Sequence, residues 1–235
     1  MIKNRNIALA FRLGALLFAL AGLMKQIGMF GGIFSLRAFM YYTIQSNLLA
    51  VVLFALLSVR TLKSPQGDAG GGVFCHTRFR MVCAVDLLVT MVVFWVLLVP
   101  RVDAAYLWTF ENIAVHTVTP LLCLADYALF SRPGSLKYRD VYYVCIFPFC
   151  YVVFTSVAGV AGYVYRYEGI TGGSFSGAAP TVPVRFPYFF IDFDRLGMTV
   201  LLYIGGLLAF FLLISHGIYW VDRMVYKRQN ISKYD

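Results

Sequence analysis

Tyr42-Thr43-Ile44-Gln45-Ser46-Asn47-Leu48 and Asn112-Ile113-Ala114-Val115-His116-Thr117-Val118-Thr119-Pro120 each interrupt an apolar run long enough to cross a bilayer. A helix that serves only as an anchor carries Leu, Val or Phe at such positions, because ionisable and hydrogen-bonding groups are unfavourable in lipid. The runs around them set the fold. One helical crossing of the hydrocarbon core takes about 20 apolar residues, and runs of that kind occupy 7–30, 38–59, 79–100, 107–130, 141–165 and 196–221. The fold class predicted is all-α: an integral membrane bundle of six transmembrane helices forming one domain over residues 1–235.

Composition agrees with this reading. The chain is 60% hydrophobic and only 13% charged, with a mean hydropathy of +0.75, outside the range of ordinary soluble domains. The net charge of +9 does not indicate nucleic acid, because the basic residues stand at the ends of apolar runs and form no continuous patch. They read instead as topology signals. Lys3, Arg5, Arg60, Lys63, Arg78, Arg80, Arg132, Lys137, Arg139, Arg223, Lys227, Arg228 and Lys233 fall on one side and are most of the 20 Lys and Arg. Both termini are therefore expected in the cytoplasm, with Lys25, Arg37, Arg101, Arg166, Arg185 and Arg195 outside. The first run ends at Lys25-Gln26 without a small-residue cleavage site, so it is expected to remain as a helix.

Local features refine the runs. Pro120 and Pro148 predict kinks, since proline removes a backbone donor and crowds the preceding turn. Gly159 and Gly162 suit close helix approach. The Gly-rich connection from Lys63 to Gly72 reads as solvent-exposed, and 166–195, rich in Gly, Pro and aromatics, reads as a cover over one mouth of the bundle, with 171–177 a possible lid. Cys75, Cys83, Cys123, Cys145 and Cys150 include no CxxC pair, so neither a disulfide framework nor a zinc site is indicated. Arg12, Asp86 and Asp126 lie near the inner boundary and are expected to form a buried charge cluster joining helices one, three and four; separate access to water is the alternative.

The two polar stretches carry the candidate chemistry. At about 1.5 Å per residue, Thr43 lies roughly 8 Å and His116 roughly 14 Å below the starts of their helices, in the outer half of the bilayer. Asn47 follows Thr43 by one turn and Asn112 precedes His116 by one turn, with Glu111 close to that face. A threonine hydroxyl becomes a nucleophile when a neighbouring base takes its proton, and imidazole suits that role. Gln45, Ser46 and Asn47 are candidate donors to the oxyanion of an attacked ester, and Asn112 is placed to orient the imidazole. The plainer readings are that Thr43 bonds its own backbone, that the asparagines join helices and that His116 only packs. Paired haem ligation by His116 and His216 fails on depth, and His76 falls in a loop.

Six apolar spans, a threonine early in the second, Asn-x-x-x-His-Thr followed by proline in the fourth (Asn112, His116, Thr117, Pro120) and Phe186-Pro187-Tyr188-Phe189 before the last together resemble the androgen-induced hydrolase family. The resemblance covers nearly the whole chain. It implies hydrolysis of lipid esters, notably fatty acid esters of hydroxy fatty acids, by an intramembrane threonine and histidine matching Thr43 and His116, with no metal and no cofactor. Membrane lipids and a lipid ester are the implied partners. The asparagine follows Thr43 by four residues where three is expected in the animal members, and Ile44-Gln45-Ser46-Asn47 resembles the bacterial branch, which implies a bacterial plasma membrane. A non-catalytic lipid carrier and a small-solute transporter are the rival functions; the transporter predicts water access from both faces, and no internal repeat of the transporter kind is visible.

Overall fold

The computed structural model describes residues 2–31, 34–65, 77–169 and 181–231. Six helices are long and apolar enough to cross a membrane: Arg5–Gln26, Tyr42–Lys63, Thr77–Arg101, Phe110–Phe130, Tyr138–Val160 and Phe193–Ile231, numbered one to six below. Such a set is compatible with an integral multi-pass membrane protein. The only sheet among the described residues is a two-stranded antiparallel hairpin, β1 (Arg166–Gly169) with β2 (Thr181–Val184). The chain divides into two compact units, Met1–Cys145 with Phe210–Asp235, and Ile146–Ala209.

The helix boundaries differ from the expected runs for local reasons. Helix one starts early because the Asn4 side chain accepts from the backbone N–H groups of Asn6 and Ile7, a standard N-cap. Helix two starts at Tyr42 and not near residue 38, because Leu36–Met40 forms a separate 3-10 turn capped by Ser35 and Tyr41 is extended. Helix four starts at Phe110 under a Thr109 cap, after a short helix, Ala104–Leu107, capped by Asp103. Helix six runs on to Ile231, ten residues past the end of its apolar run at 221, so the basic stretch from Arg223 is helical as far as Ile231. Between Val221 and Ile231 it contains neither Gly nor Pro and several good helix formers.

Two prolines leave the same mark. In helix three the turn Phe94–Leu98 is π-helical, with the Val99 N–H bonded to the Phe94 carbonyl, and Pro100 follows. In helix four Ala114–Val118 is π-helical, with the Thr119 N–H bonded to the Ala114 carbonyl, and Pro120 follows. Proline has no N–H to give to the preceding turn, and its ring crowds the carbonyl four residues back. A widened turn upstream relieves both problems, and such bulges are frequent at functional sites.

Helices one to four enclose the core of the first unit, where Ala15, Ala50, Leu53, Phe54, Leu57, Cys83, Leu87 and Cys123 pack together. At one end of this core Asp126 takes Arg12 Nε at 2.8 Å on one oxygen and Arg80 Nη2 at 2.6 Å on the other, while Arg12 also donates to the Thr61 hydroxyl. The expected charge cluster is thus corrected in membership. Arg80, counted above only as a topology signal, is buried in helix three, and Asp86 faces elsewhere. Residues 80 and 86 lie about a third of a turn apart around a helix of 3.6 residues per turn, so a helix that aims Arg80 at Asp126 aims Asp86 away. Cys83, Cys123, Cys145 and Cys150 are free thiols.

In the second unit Gly159 is closely packed, but against a non-helical stretch and not another helix: a Cβ there would sit 2.8 Å from the Phe186 ring. Gly162 instead turns the chain at φ 86 after helix five ends. Pro148 lies in the first turn of the α-helical part of helix five, Ile146–Val160, where its missing N–H is no loss. Arg185 Nε bonds Asp194 at 2.8 Å, and Asp192 caps the start of helix six. The candidate lid at 171–177, the Gly-rich stretch 66–72, Gly32, Cys75, His76 and Lys233 lie outside the described residues.

Candidate active site

Thr43 occupies the first turn of helix two, and His116 lies in the middle of the π turn of helix four. Their side chains meet, with Thr43 Oγ1 3.3 Å from His116 Nε2. The two residues are 8% and 5% exposed, so the pair is shielded from bulk solvent. On the far side of the ring, His116 Nδ1 stands 2.7 Å from Asn112 Oδ1 and 3.2 Å from the Asn112 carbonyl.

This network assigns the tautomer. The Asn112 amide nitrogen donates to the Leu107 carbonyl at 2.8 Å, which turns its oxygen toward the histidine. Both partners of Nδ1 are therefore acceptors, and Nδ1 carries the proton. Nε2 is left with its lone pair toward the Thr43 hydroxyl, as a base requires. Asn112, His116 and Thr43 form an ordered line of acceptor, imidazole and hydroxyl.

Helix three holds the ring in place. Phe94 stacks on His116 with ring centroids 3.7 Å apart and planes 15° from parallel, and the adjacent Trp95 donates from Nε1 to the Thr117 hydroxyl at 3.0 Å. Both residues lie in the π turn of helix three, so the two π turns are bonded to one another. Helix one closes the opposite side through Gly22, where a Cβ would fall 2.5 Å from that of Ala114. Next to the start of helix four, Gln26 and Tyr106 exchange hydrogen bonds at 2.6 and 3.0 Å, and Lys25 pairs with Glu111 at 3.4 Å. Burial raises the Tyr106 phenol above its ordinary value.

The expected oxyanion donors are engaged elsewhere. Gln45 donates to the Phe39 carbonyl at 2.9 Å, fastening the 3-10 turn ahead of helix two. Ser46 donates to the Thr43 carbonyl at 3.1 Å and stands 3.5 Å from the Thr90 hydroxyl. Asn47 spends its amide nitrogen on the Thr43 and Val115 carbonyls, at 2.8 and 3.0 Å. Asn112 uses its nitrogen on Leu107. Among the described residues no group of three His, Cys, Asp or Glu side chains is placed to hold a metal ion. His216 bonds the Leu212 carbonyl and approaches Tyr138, and both nitrogens of His116 are occupied by Asn112 and Thr43.

Sequence reading missed Phe94, Trp95 and Arg80. Pro100, six residues after Phe94, is the one signal for the widened turn that presents Phe94 and Trp95, and it matches Pro120 six residues after Ala114. Searches of family models, of curated proteins and of solved structures give no match to this chain.

Proposed function

We propose that the protein is a membrane-embedded hydrolase of lipid esters, of the fatty acid ester of hydroxy fatty acid type, with Thr43 as nucleophile and His116 as base. The observation that carries this is the line Asn112 Oδ1, His116 Nδ1–H, His116 Nε2, Thr43 Oγ1, in which the lone pair of the imidazole faces the hydroxyl. Thr43 Oγ bonds to the ester carbonyl carbon as its proton passes to Nε2. The imidazolium gives that proton to the departing alkoxide, which leaves as the alcohol and an acyl-threonine remains. Water then attacks the acyl carbon with His116 again as base, and the carboxylic acid is released with Thr43 restored.

The oxyanion is placed at the start of helix two. The Ile44 and Gln45 N–H groups there are bonded to the Tyr41 carbonyl, so the donor proposed is the Thr43 N–H, at the positive end of the helix dipole. The Lys and Arg bias supports termini in the cytoplasm even with the buried Arg80 removed from the count, and on that orientation the site lies on the side of the outer leaflet. The placement in a bacterial plasma membrane rests on the likeness of Ile44-Gln45-Ser46-Asn47 to the bacterial branch.

One observation favours a second reading, a lipid carrier: every amide and hydroxyl side chain expected to stabilise an oxyanion is already bonded. The purified protein in detergent separates the two. Hydrolysis of a branched fatty acid ester and of nitrophenyl esters is measured for the parent, Thr43→Ala and His116→Ala, with folding followed by size exclusion. Loss of turnover by about 100-fold or more in both folded variants supports the hydrolase. Turnover that survives Thr43→Ala, or no cleavage by a parent that retains bound lipid, overturns it in favour of the carrier.

A further inference from the structure

Asp86 is 1% exposed and lies well inside helix three. Its Oδ1 accepts a 3.3 Å hydrogen bond from the Tyr42 hydroxyl, and its Oδ2 is buried with no partner among the described residues. Arg12 and Arg80 both bond Asp126. An intramembrane carboxyl with one unpartnered oxygen marks a functional position, because an unfilled acceptor at such a depth opposes folding.

Its place relative to the threonine–histidine pair is specific. Asp86, Thr90 and Phe94 follow one another at four-residue spacing, so they share one face of helix three. Phe94 stacks on His116, Thr90 stands beside Ser46, and Asp86 meets Tyr42, the residue before Thr43. From Phe94 to Asp86 the helix rises about 12 Å. Tyr42 is only partly buried and packs with Cys145 on the apolar cluster of Met81, Val85, Val89 and Phe211, so its ring leads from the surface inward to the carboxyl along an apolar wall.

We infer that Asp86 and Tyr42 form a second polar subsite that accepts a hydrogen bond from a hydroxyl on the bound lipid, about 12 Å along helix three from the reacting group. The inference rests on the reading that a lipid occupies the Thr43–His116 site. It adds to that substrate class the ester lipids that keep a second, free hydroxyl further along the chain, beyond the one consumed in the ester. Asp86 Oδ2 supplies the acceptor and Tyr42 fixes the carboxyl; neither forms or breaks a covalent bond.

The test uses two non-hydrolysable ether lipids that differ only in one mid-chain hydroxyl, bound to the full chain carrying Thr43→Ala so that turnover cannot interfere. Affinities are read from intrinsic tryptophan fluorescence in detergent. The hydroxylated ether is expected to bind about tenfold tighter, the worth of one buried hydrogen bond, and Asp86→Leu should abolish that preference while leaving the plain ether unchanged. Equal binding of the two ethers, or a preference that persists in Asp86→Leu, overturns the subsite. Where Asp86→Leu no longer binds the plain ether, Asp86→Asn decides: a reduced preference supports the subsite and an unchanged one overturns it. An amine-bearing ether that binds tighter than the hydroxylated one makes this a cation site and overturns the assignment. If neither ether binds the parent, the lipid-site reading itself falls.

Discussion

Asn47 donates to the Val115 carbonyl at 3.0 Å, across from helix two to helix four. That oxygen has no donor in its own helix. The Thr119 N–H is bonded one residue further back, to Ala114, and the next residue is Pro120, which has no N–H to offer. An amide on a neighbouring helix thus completes the turn that carries His116. Asn47→Leu is expected to lower stability by about 1–3 kcal/mol, the penalty of an unmet buried carbonyl, and to reduce any turnover, because His116 is the next residue. Thermal melting in detergent together with esterase assays checks this. A variant as stable as the parent would falsify the role.

The threonine–histidine pair shows how far the sequence is legible. Thr43 and His116 meet, as one-turn spacings and similar depths allow, yet both depth estimates fail because each helix begins later than its apolar run. Tyr41 is extended and Thr109 caps, and neither feature is visible in hydropathy. The role of Asn47 depends on a register shift in another helix, which no periodicity in helix two records. The partnership of Arg80 with Asp126 was hidden for a different reason. Arg80 counts among the cations at the ends of apolar runs, and hydropathy does not tell a cation that marks topology from one that turns inward to a carboxylate.

Asn112 should act through the histidine alone. Asn112→Ala removes the nearer of the two acceptors on Nδ1 and leaves only the backbone carbonyl at 3.2 Å, so the imidazole's tautomer preference weakens, and kcat is expected to fall by about 10- to 100-fold with KM little changed, at the low end of what general base catalysis contributes. Nitrogen NMR of labelled histidine gives the independent readout. The parent should show a protonated Nδ1 and the variant a mixture. A pure Nε2–H form in the parent would sink the proposed direction of proton transfer.

Asp126 binds two buried guanidinium groups, so the three members of the cluster are not equivalent. Asp126→Asn leaves Arg12 and Arg80 facing one another without a counter-charge and is expected to cost about 3–5 kcal/mol. Arg12→Met leaves Asp126 paired with Arg80 and should be milder. Comparing melting temperatures checks the order, and a larger loss from Arg12→Met than from Asp126→Asn contradicts the geometry.

Tyr106 gives a pH signature outside the spans. Burial raises its phenol above the ordinary 10.0, so the folded chain holds this proton more tightly than the unfolded one. The associated stability is fully present below about pH 10 and is lost as pH rises through the raised folded value. Tyr106→Phe should flatten the alkaline side of a plot of stability against pH while removing the hydrogen bonds to Gln26. An unchanged alkaline limb would show that another group controls it.

Pro120→Ala separates stability from function most sharply. Alanine restores the N–H that the turn above lacks, relieves the crowding against the carbonyl four residues back and favours an ordinary α register. A π turn holds one more residue than the α turn it replaces, so its loss rotates the preceding residues by about 100° relative to those that follow. His116 would then no longer present Nε2 to Thr43, and Asn47 would lose its claim on Val115. Melting temperature is expected to hold or rise while turnover falls by about 100-fold, the contribution of one positioned base. If activity and stability move together in this variant, the π turn is not what aims the histidine.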